Sequence, residues 1–568
     1  MNHTALQVLL AALIVLPLLG ALLPAPPGLR GKSPEQAVLR HGVTVTGVVL
    51  AVAIALACGF DHGHAARMQG QTDIGWIPAL GIRIHLGVDG ISLPLLVLTA
   101  LLTFLCALYS YLRPPGGPSP KAFVALLLLL EAGSLATFAV LDLMLFFLAF
   151  ETVLIPMYFL IARWGGANRG PAAWKFILYT LLGSVVMLLG LLLIGLRAGT
   201  FDMVALATDN GPNAQLSHGV QLLAVLAVGI GLAVKSPLWP LHGWLPDAHT
   251  AAPTVGSVLL AGVLLKMGTY GFVRILLAAA PEGMHTFAPY LAALAVVGII
   301  YGSLACLSLA RPGAKGDLKR LIAYSSVGHM GFVLLGIASM TPTGVNGALF
   351  ANIAHGLITG LLFFLVGALK DRHGTGDLDR IAGRSGAALY GRAPRLGGLL
   401  AFGAVASLGL PGLAGFWGEM LAMFGAFRPA AGLSRPAFLV LMVLAGIGTL
   451  LTAAYLLVVV RRVCMGAREQ AETVTVEPSP ADAATPATAA PAAPAPAGSA
   501  TATATPAPTR TAVPEADRAP GALRDVTAAE AVTWTPLVLL TVLAGLWPAA
   551  LLGLSDPAVQ HLLGGGSS

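Results

Sequence analysis

The chain has 568 residues, 57% of them hydrophobic and 10% charged, with a mean hydropathy of +0.83. A soluble fold of this length needs far more charge to cover its surface, so an ordinary globular enzyme is excluded. The net charge of +7 is spread through short loops between apolar blocks, with no basic stripe and no interleaved aromatics, which excludes a nucleic-acid binder and marks a topology signal.

The apolar blocks are about 20 residues long, the length that crosses a hydrocarbon core of roughly 30 Å. In chain order they predict helices over 6–23, 43–60, 88–111, 122–140, 142–162, 173–196, 218–246, 254–277, 288–309, 321–340, 345–369, 394–427, 438–460 and 534–553. Only helices suit such runs, because their backbone groups must be satisfied internally. The first block lacks the basic leader of a signal peptide and reads as a retained span. The expected fold is therefore an all-α polytopic membrane protein of about 14 transmembrane helices.

Helices 7 and 12 are long and interrupted, at Lys235-Ser236-Pro237-Leu238-Trp239-Pro240 and at Leu408-Gly409-Leu410-Pro411-Gly412. Proline removes a backbone donor, and free carbonyls at membrane depth survive only inside protein or beside a wet cavity. Two broken helices five spans apart predict two inverted five-helix repeats. The expected divisions are 1–121 for helices 1–3, 122–277 for helices 4–8 and 288–460 for helices 9–13. An Ala/Pro/Thr-rich stretch over 466–530 cannot bury a core and reads as a disordered cytoplasmic linker before helix 14 at 534–553.

Of the 32 Lys and Arg residues, 24 follow odd-numbered helices and six follow even-numbered ones, while Lys235 and Lys266 lie inside helices. Arg274 is counted among the six. The positive-inside rule then makes the odd loops cytoplasmic, with both termini outside a bacterial inner membrane. Cys58, Cys106, Cys306 and Cys464 show no metal or cluster spacing, and no nucleotide-binding glycine motif is present. No cofactor is expected in this chain.

An ionisable group at mid-membrane costs about 2.5–3.5 kcal/mol on insertion scales, so each one signals a partner, a cavity or a task. Glu151 lies near the centre of helix 5, Lys235 and Lys266 in helices 7 and 8, His329 and His355 in helices 10 and 11, and Glu419 in the outer half of helix 12. Lysine can release and regain a proton where arginine cannot. Ser325 and His329, and likewise Asn352, His355 and Thr359, share helix faces that could hold a row of waters. The bland alternatives are a structural ion pair for the lysines and an interhelical hydrogen bond for the histidines. Glu131 reads equally well as an accessory proton site or a structural partner. Asp89 and Asp142 near helix ends are expected to be interfacial, and His242 and His249 to cap or pack.

The segment Ala233-Val234-Lys235-Ser236-Pro237-Leu238-Trp239-Pro240-Leu241-His242-Gly243-Trp244-Leu245-Pro246-Asp247-Ala248-His249 resembles the antiporter-like subunits of respiratory complex I. Its continuation from Ala252-Pro253-Thr254 to Leu265-Lys266-Met267-Gly268 is similar to the M type rather than the L and N types. Further matches are Gly87-Val88-Asp89-Gly90, Glu151 through Ile155-Pro156-Met157-Tyr158, Ser325-Ser326-Val327-Gly328-His329-Met330-Gly331 and Gly415-Phe416-Trp417-Gly418-Glu419. The resemblance covers about 85–460. It implies a proton-translocating membrane-arm subunit of NADH:quinone oxidoreductase, with Glu151 and Lys235 as a pair, Lys266 as central relay, His329 and His355 as links and Glu419 as the terminal carboxylate. It also implies L-type and N-type neighbours, with NADH, FMN, iron–sulfur clusters and quinone held by partner subunits. The rival readings are a subunit of a multi-chain cation/proton antiporter, a membrane-bound hydrogenase-type complex, and a non-transporting scaffold.

Overall fold

The computed structural model describes residues 2–23, 33–208, 211–384, 389–465 and 523–564. Among these, thirteen helices are long and apolar enough to cross a membrane. Helix 12, divided into Pro394–Ser407 (12a) and Ala414–Phe427 (12b), completes the fourteen. The chain is a multi-pass, helical membrane protein.

Local chemistry sets many helix ends. Ser33, Ser119 and Thr341 each accept a backbone amide of the first turn and are followed by proline, which is preorganised for that turn. Asp142 and Asp317 cap helix 5 (Leu143–Trp164) and helix 10 (Leu318–Ala338) in the same way. Several helices run past their apolar blocks: helix 2 begins at Pro34 and helix 9 at Pro281. Hydropathy reports the bilayer, whereas a helix continues into water as far as its cap.

Between helices 2 and 3 lies an antiparallel hairpin, β1 (Gln69–Ile77) with β2 (Ile82–Val88). Its edges are tolerable because it lies between spans, where water can satisfy them. Helix 5 pauses at Val153, ahead of Pro156, giving Leu143–Thr152 (5a) and Leu154–Trp164 (5b). Helix 7 ends its first part (7a, His218–Lys235) at Lys235 and resumes as Leu245–Ala251 (7b).

Helix 8 (Thr254–Ala279) and helix 11 (Pro342–His373) form the centre, with their apolar spans wholly buried. Helix 8 contains two π-helical turns, Leu260–Leu264 and Phe272–Leu276, on either side of the Lys266 segment. Small residues let the helices approach: a side chain at Gly183 would meet Val234, and one at Gly418 would meet the Ala351 backbone.

A paired contact between loops occurs twice along the chain. The loop before helix 5 pairs with the loop after helix 6, through Leu143 N–H to the Phe201 carbonyl (2.9 Å) and Met203 N–H to the Leu141 carbonyl (2.8 Å). The loop before helix 10 pairs with the loop after helix 11, through Leu318 N–H to Gly376 (2.9 Å) and Leu378 N–H to Gly316 (2.7 Å). Asp142, Asp202, Asp317 and Asp377 occupy the four equivalent bridge positions.

The expected linker over 466–530 falls largely on 466–522, outside the described residues. Its last part is ordered, which corrects the boundary. Helix 14 spans Ala528–Leu546 rather than 534–553, and after Trp547-Pro548 a separate helix runs Ala549–Leu562. The early start has a physical cause. Thr527 and Glu530 form a capping box, and Glu530 is gripped by Arg372 and Arg113 at 2.8 Å each. Asp525 accepts from the Leu396 amide at the start of helix 12a (2.9 Å).

Candidate functional site

The interruption of helix 7 puts Lys235 at a helix terminus inside the protein. The carbonyls freed there are taken up locally, Ala233 by the Leu238 amide (2.9 Å) and Val234 by the Trp244 indole (3.0 Å). Lys235 is 2% exposed, and its ammonium lies over the Phe150 ring, 4.6 Å from the centroid. Phe150 precedes Glu151, so the lysine reaches the turn of helix 5a that carries the carboxylate. The two are electrostatically coupled, and Ser184 of helix 6 lies beside the Glu151 carboxyl. They are not in contact: Glu151 Oε1 and Lys235 Nζ each lack a protein hydrogen-bond partner. The expected pair is a neighbouring pair and not a closed salt bridge.

Lys266 is completely buried on the segment between the two π turns. Its ammonium donates to the carbonyl of Ala261, within the first π turn, and meets His355 Nδ1 at 2.8 Å. The His355 ring stands edge-on to His329, with centroids 5.7 Å apart. His329 Nδ1 meets Glu419 Oε1 at 2.9 Å, and its Nε2 meets the Ser407 hydroxyl at 2.9 Å. Four of the six expected residues thus form a line across helices 8, 11, 10 and 12, in the order Lys266, His355, His329, Glu419.

A chamber of about 20 Å³ lies along that line, bounded by His329, His355, Thr359, Ser407 and Glu419. That is room for about one water. Asn352 of the same helix-11 face accepts from the Thr269 hydroxyl at 3.0 Å, tying helix 11 to helix 8 one turn from His355.

The stretch from Lys235 to Lys266 is less complete. Gly268 sits against the break in helix 7, where an added side-chain carbon would meet the Ser236 hydroxyl and fall 2.7 Å from the Leu232 carbonyl. The Ser236 hydroxyl is fully buried without a protein partner. Glycine at 268 is therefore what allows the Lys266 helix to reach the Lys235 turn.

Sequence reasoning undervalued two features and left a third open. His249 is fully buried, stacked on Phe363 at 4.5 Å, with neither ring nitrogen partnered. Its place beside a loop suggested only capping or packing, and it does pack on Phe363. Asp89 lies just before helix 3, as expected, but is buried and paired: it is 2% exposed and both its oxygens accept from Arg274 Nη2 at 2.6 Å, while its Oδ1 also accepts the Ser92 amide. Arg274, counted with the loops, is a buried member of helix 8. Glu131 is buried on helix 4 (Pro120–Ala139), and neither of its oxygens has a protein partner.

Residues 140–455 match the family model described as NADH:quinone oxidoreductase/Mrp antiporter, transmembrane. NADH-quinone oxidoreductase subunit M of Rhodobacter capsulatus is 37% identical over 531 residues, covering 92% of this chain and 89% of that protein. A Picosynechococcus NAD(P)H-quinone oxidoreductase chain 4 is 40% identical over 465 residues, covering 81% and 83%. Among solved structures, a chain of respiratory complex I from Thermus thermophilus with bound NADH superposes with a TM-score of 0.74 at 28% identity, covering 98% of this chain and all of that one. The Mrp complex of a Dietzia species shares the fold, with a TM-score of 0.75 at 22% identity. With its broken helices and its buried line of titratable side chains, this chain belongs to the NADH:quinone oxidoreductase/Mrp antiporter membrane-subunit family.

Proposed function

We propose that this chain is the M-type subunit of a proton-translocating NADH:quinone oxidoreductase and moves protons along Lys235, Lys266, His355, His329 and Glu419 under the control of Glu151. The observation that carries this reading is the contact line from Lys266 to Glu419, which starts between the wholly buried helices 8 and 11 and runs on through helices 10 and 12. Ionisable groups at that depth are costly, and proton transfer needs them in a row; here Lys266–His355 and His329–Glu419 are hydrogen-bonded and the two histidines meet through their rings.

The chemistry follows from the geometry. An ammonium at Lys235 is favoured while a carboxylate at Glu151 is near, and is left costly in low dielectric when that charge withdraws. The proton, or its field, then acts on Lys266 across the close approach at Gly268 and Ser236. Lys266 gives a proton to the lone pair of His355 Nδ1, and the imidazoles pass the charge towards Glu419. The energy is supplied by quinone chemistry in partner subunits, which would also hold the FMN and iron–sulfur clusters.

Glu151 is half-buried on a helix face that also carries the exposed Leu148 and Ile155. A carboxylate on such a face is badly suited to lipid, which supports a neighbouring antiporter-like subunit of the L or N type covering it. The Lys/Arg count supports a bacterial inner membrane with both termini outward. The two recurring loop pairings are five crossings apart and so on opposite membrane faces, which supports inverted units of helices 4–8 and 9–13.

The test is Glu151→Gln in the assembled complex. Proton pumping should fall at least about fivefold, the effect of losing about 1 kcal/mol of attraction between two separated charges, while NADH oxidation by a bypass acceptor stays within twofold. Pumping at the wild-type ratio would remove Glu151 from the mechanism. Sodium-dependent exchange without NADH-driven pumping would instead favour the antiporter reading.

A further inference from the structure

Buried hydroxyls on the spanning helices mostly return to their own backbone. Thr99 donates to Leu95, Ser134 to Leu130, Ser184 to Thr180 and Ser326 to Ile322, each to the carbonyl four residues earlier. This is the usual resting place for a helical hydroxyl. Ser407 behaves differently. It is buried in the last turn of helix 12a, makes no such back-bond among the described residues, and turns its oxygen to His329 Nε2 at 2.9 Å. The other ring nitrogen of the same histidine faces Glu419 at 2.9 Å.

We infer that Ser407 is a positioning residue that pins the His329 imidazole with Nε2–H towards its hydroxyl, keeping Nδ1 as the atom that exchanges the proton with Glu419. Which imidazole nitrogen carries the exchangeable proton is set by what the other nitrogen bonds. In the step so defined, the Nδ1–H bond of an imidazolium breaks and an O–H bond forms on Glu419 Oε1. One proton moves, leaving a neutral imidazole and a carboxylic acid. The imidazolium forms beforehand, when an N–H bond of protonated His355 breaks and that proton reaches His329 Nδ1 by way of the chamber between them. Ser407 neither gains nor loses a proton.

The break in helix 12 is built for this. Gly409 adopts a left-handed backbone (φ 80°), so helix 12a stops just after Ser407 and its C-terminal carbonyl end, which favours a nearby cation, lies at the histidine. Glu419 comes from the far side of the same break, on helix 12b. His355 and the Thr359 hydroxyl border the chamber on the helix-11 side, so helices 10, 11 and 12 all present polar groups to this point.

This inference rests on the proton-translocating reading, so the experiment is arranged to separate the two. Ser407→Thr and Ser407→Val have nearly the same shape and differ by the hydroxyl. Each is introduced into the full complex, reconstituted in vesicles, and read as protons moved per NADH oxidised, alongside His329→Ala and Glu419→Gln. The Thr variant should stay within twofold of wild type, and the Val variant should lose about tenfold, as expected for a missing hydrogen bond to a charged group. Equal pumping by the Thr and Val variants overturns the inference. If His329→Ala and Glu419→Gln also pump normally, the parent reading fails; if those two are impaired, only the role of Ser407 fails. Should Val block assembly, the smaller Ser407→Ala carries the comparison, and normal pumping with Ala overturns the proposal. Failure of both Ala and Val to assemble, where Thr assembles, assigns Ser407 to folding and overturns it too.

Discussion

Replacing Lys266 with arginine separates charge from proton carriage at the junction of the line. Lys266 is completely buried and donates both to the Ala261 carbonyl and to His355 Nδ1. Arginine would preserve a positive charge and donors for both acceptors. What it changes is proton release: the reference pKa values of the two side chains are about 10.4 and at least about 12.5. Two units correspond to about 3 kcal/mol and roughly a hundredfold slower release. The larger guanidinium also overpacks a wholly buried helix, at about 1–3 kcal/mol of stability, which would be read separately as the amount of assembled complex. Lys266→Met makes the opposite control, removing the charge and leaving two buried acceptors unpaired at about 1–3 kcal/mol each. The assay is NADH-driven acidification of inverted vesicles, normalised to assembled complex and to electrons transferred. We expect Lys266→Arg to assemble and to pump about a hundredfold more slowly than wild type. If it pumps within twofold of wild type, position 266 serves as a fixed charge and the carrier role is refuted.

Two further predictions concern a buried ion pair and a loop. Asp89→Ala should lower stability by about 3–5 kcal/mol, because it strands the buried Arg274 guanidinium, whereas exchanging both for apolar residues of similar size should restore much of it; thermal unfolding in lipid nanodiscs compares the two. Asp202 links the loop after helix 6 to His85 of β2 at 2.7 Å. Burial raises its carboxyl pKa, but the His85 hydrogen bond and the Val204 and Ala205 amides outweigh that, so the group is held below the ordinary value. A depressed carboxylate stabilises the fold above its unfolded pKa of about 3.9, and the gain disappears as pH falls through the folded value. Wild type should therefore lose melting temperature below about pH 4 more steeply than Asp202→Asn; parallel curves would assign that loss to other carboxylates.

The legible parts of this protein are those written in local chemistry. Apolar block length announced the spans, Pro237 and Pro411 announced the breaks in helices 7 and 12, and a lysine amid leucines marked Lys266. The resemblance, rather than any spacing, joined Glu151 to Lys235, and the order of His355 before His329 came only from the structure. Helix ends were less legible, since Glu35, Gln36 and Arg40 continue helix 2 beyond its apolar block and hydropathy cannot see a helix in water. The hairpin was missed for the same reason, because it lies between the spans and has no membrane signature.

Sequence alone determined that costly groups lie at membrane depth, because an ionisable side chain within an apolar run can be counted without knowing its neighbours. Only the tertiary structure decided which of those groups touch. Asp89 and Arg274 are 185 positions apart yet closed in one buried pair, and Lys266 and His355 are 89 apart yet 2.8 Å from one another. Contacts of that kind depend on how helices pack, through Gly268 against the helix-7 break and through the two π turns that flank Lys266. Packing is a property of facing surfaces, and no single stretch of chain contains both faces.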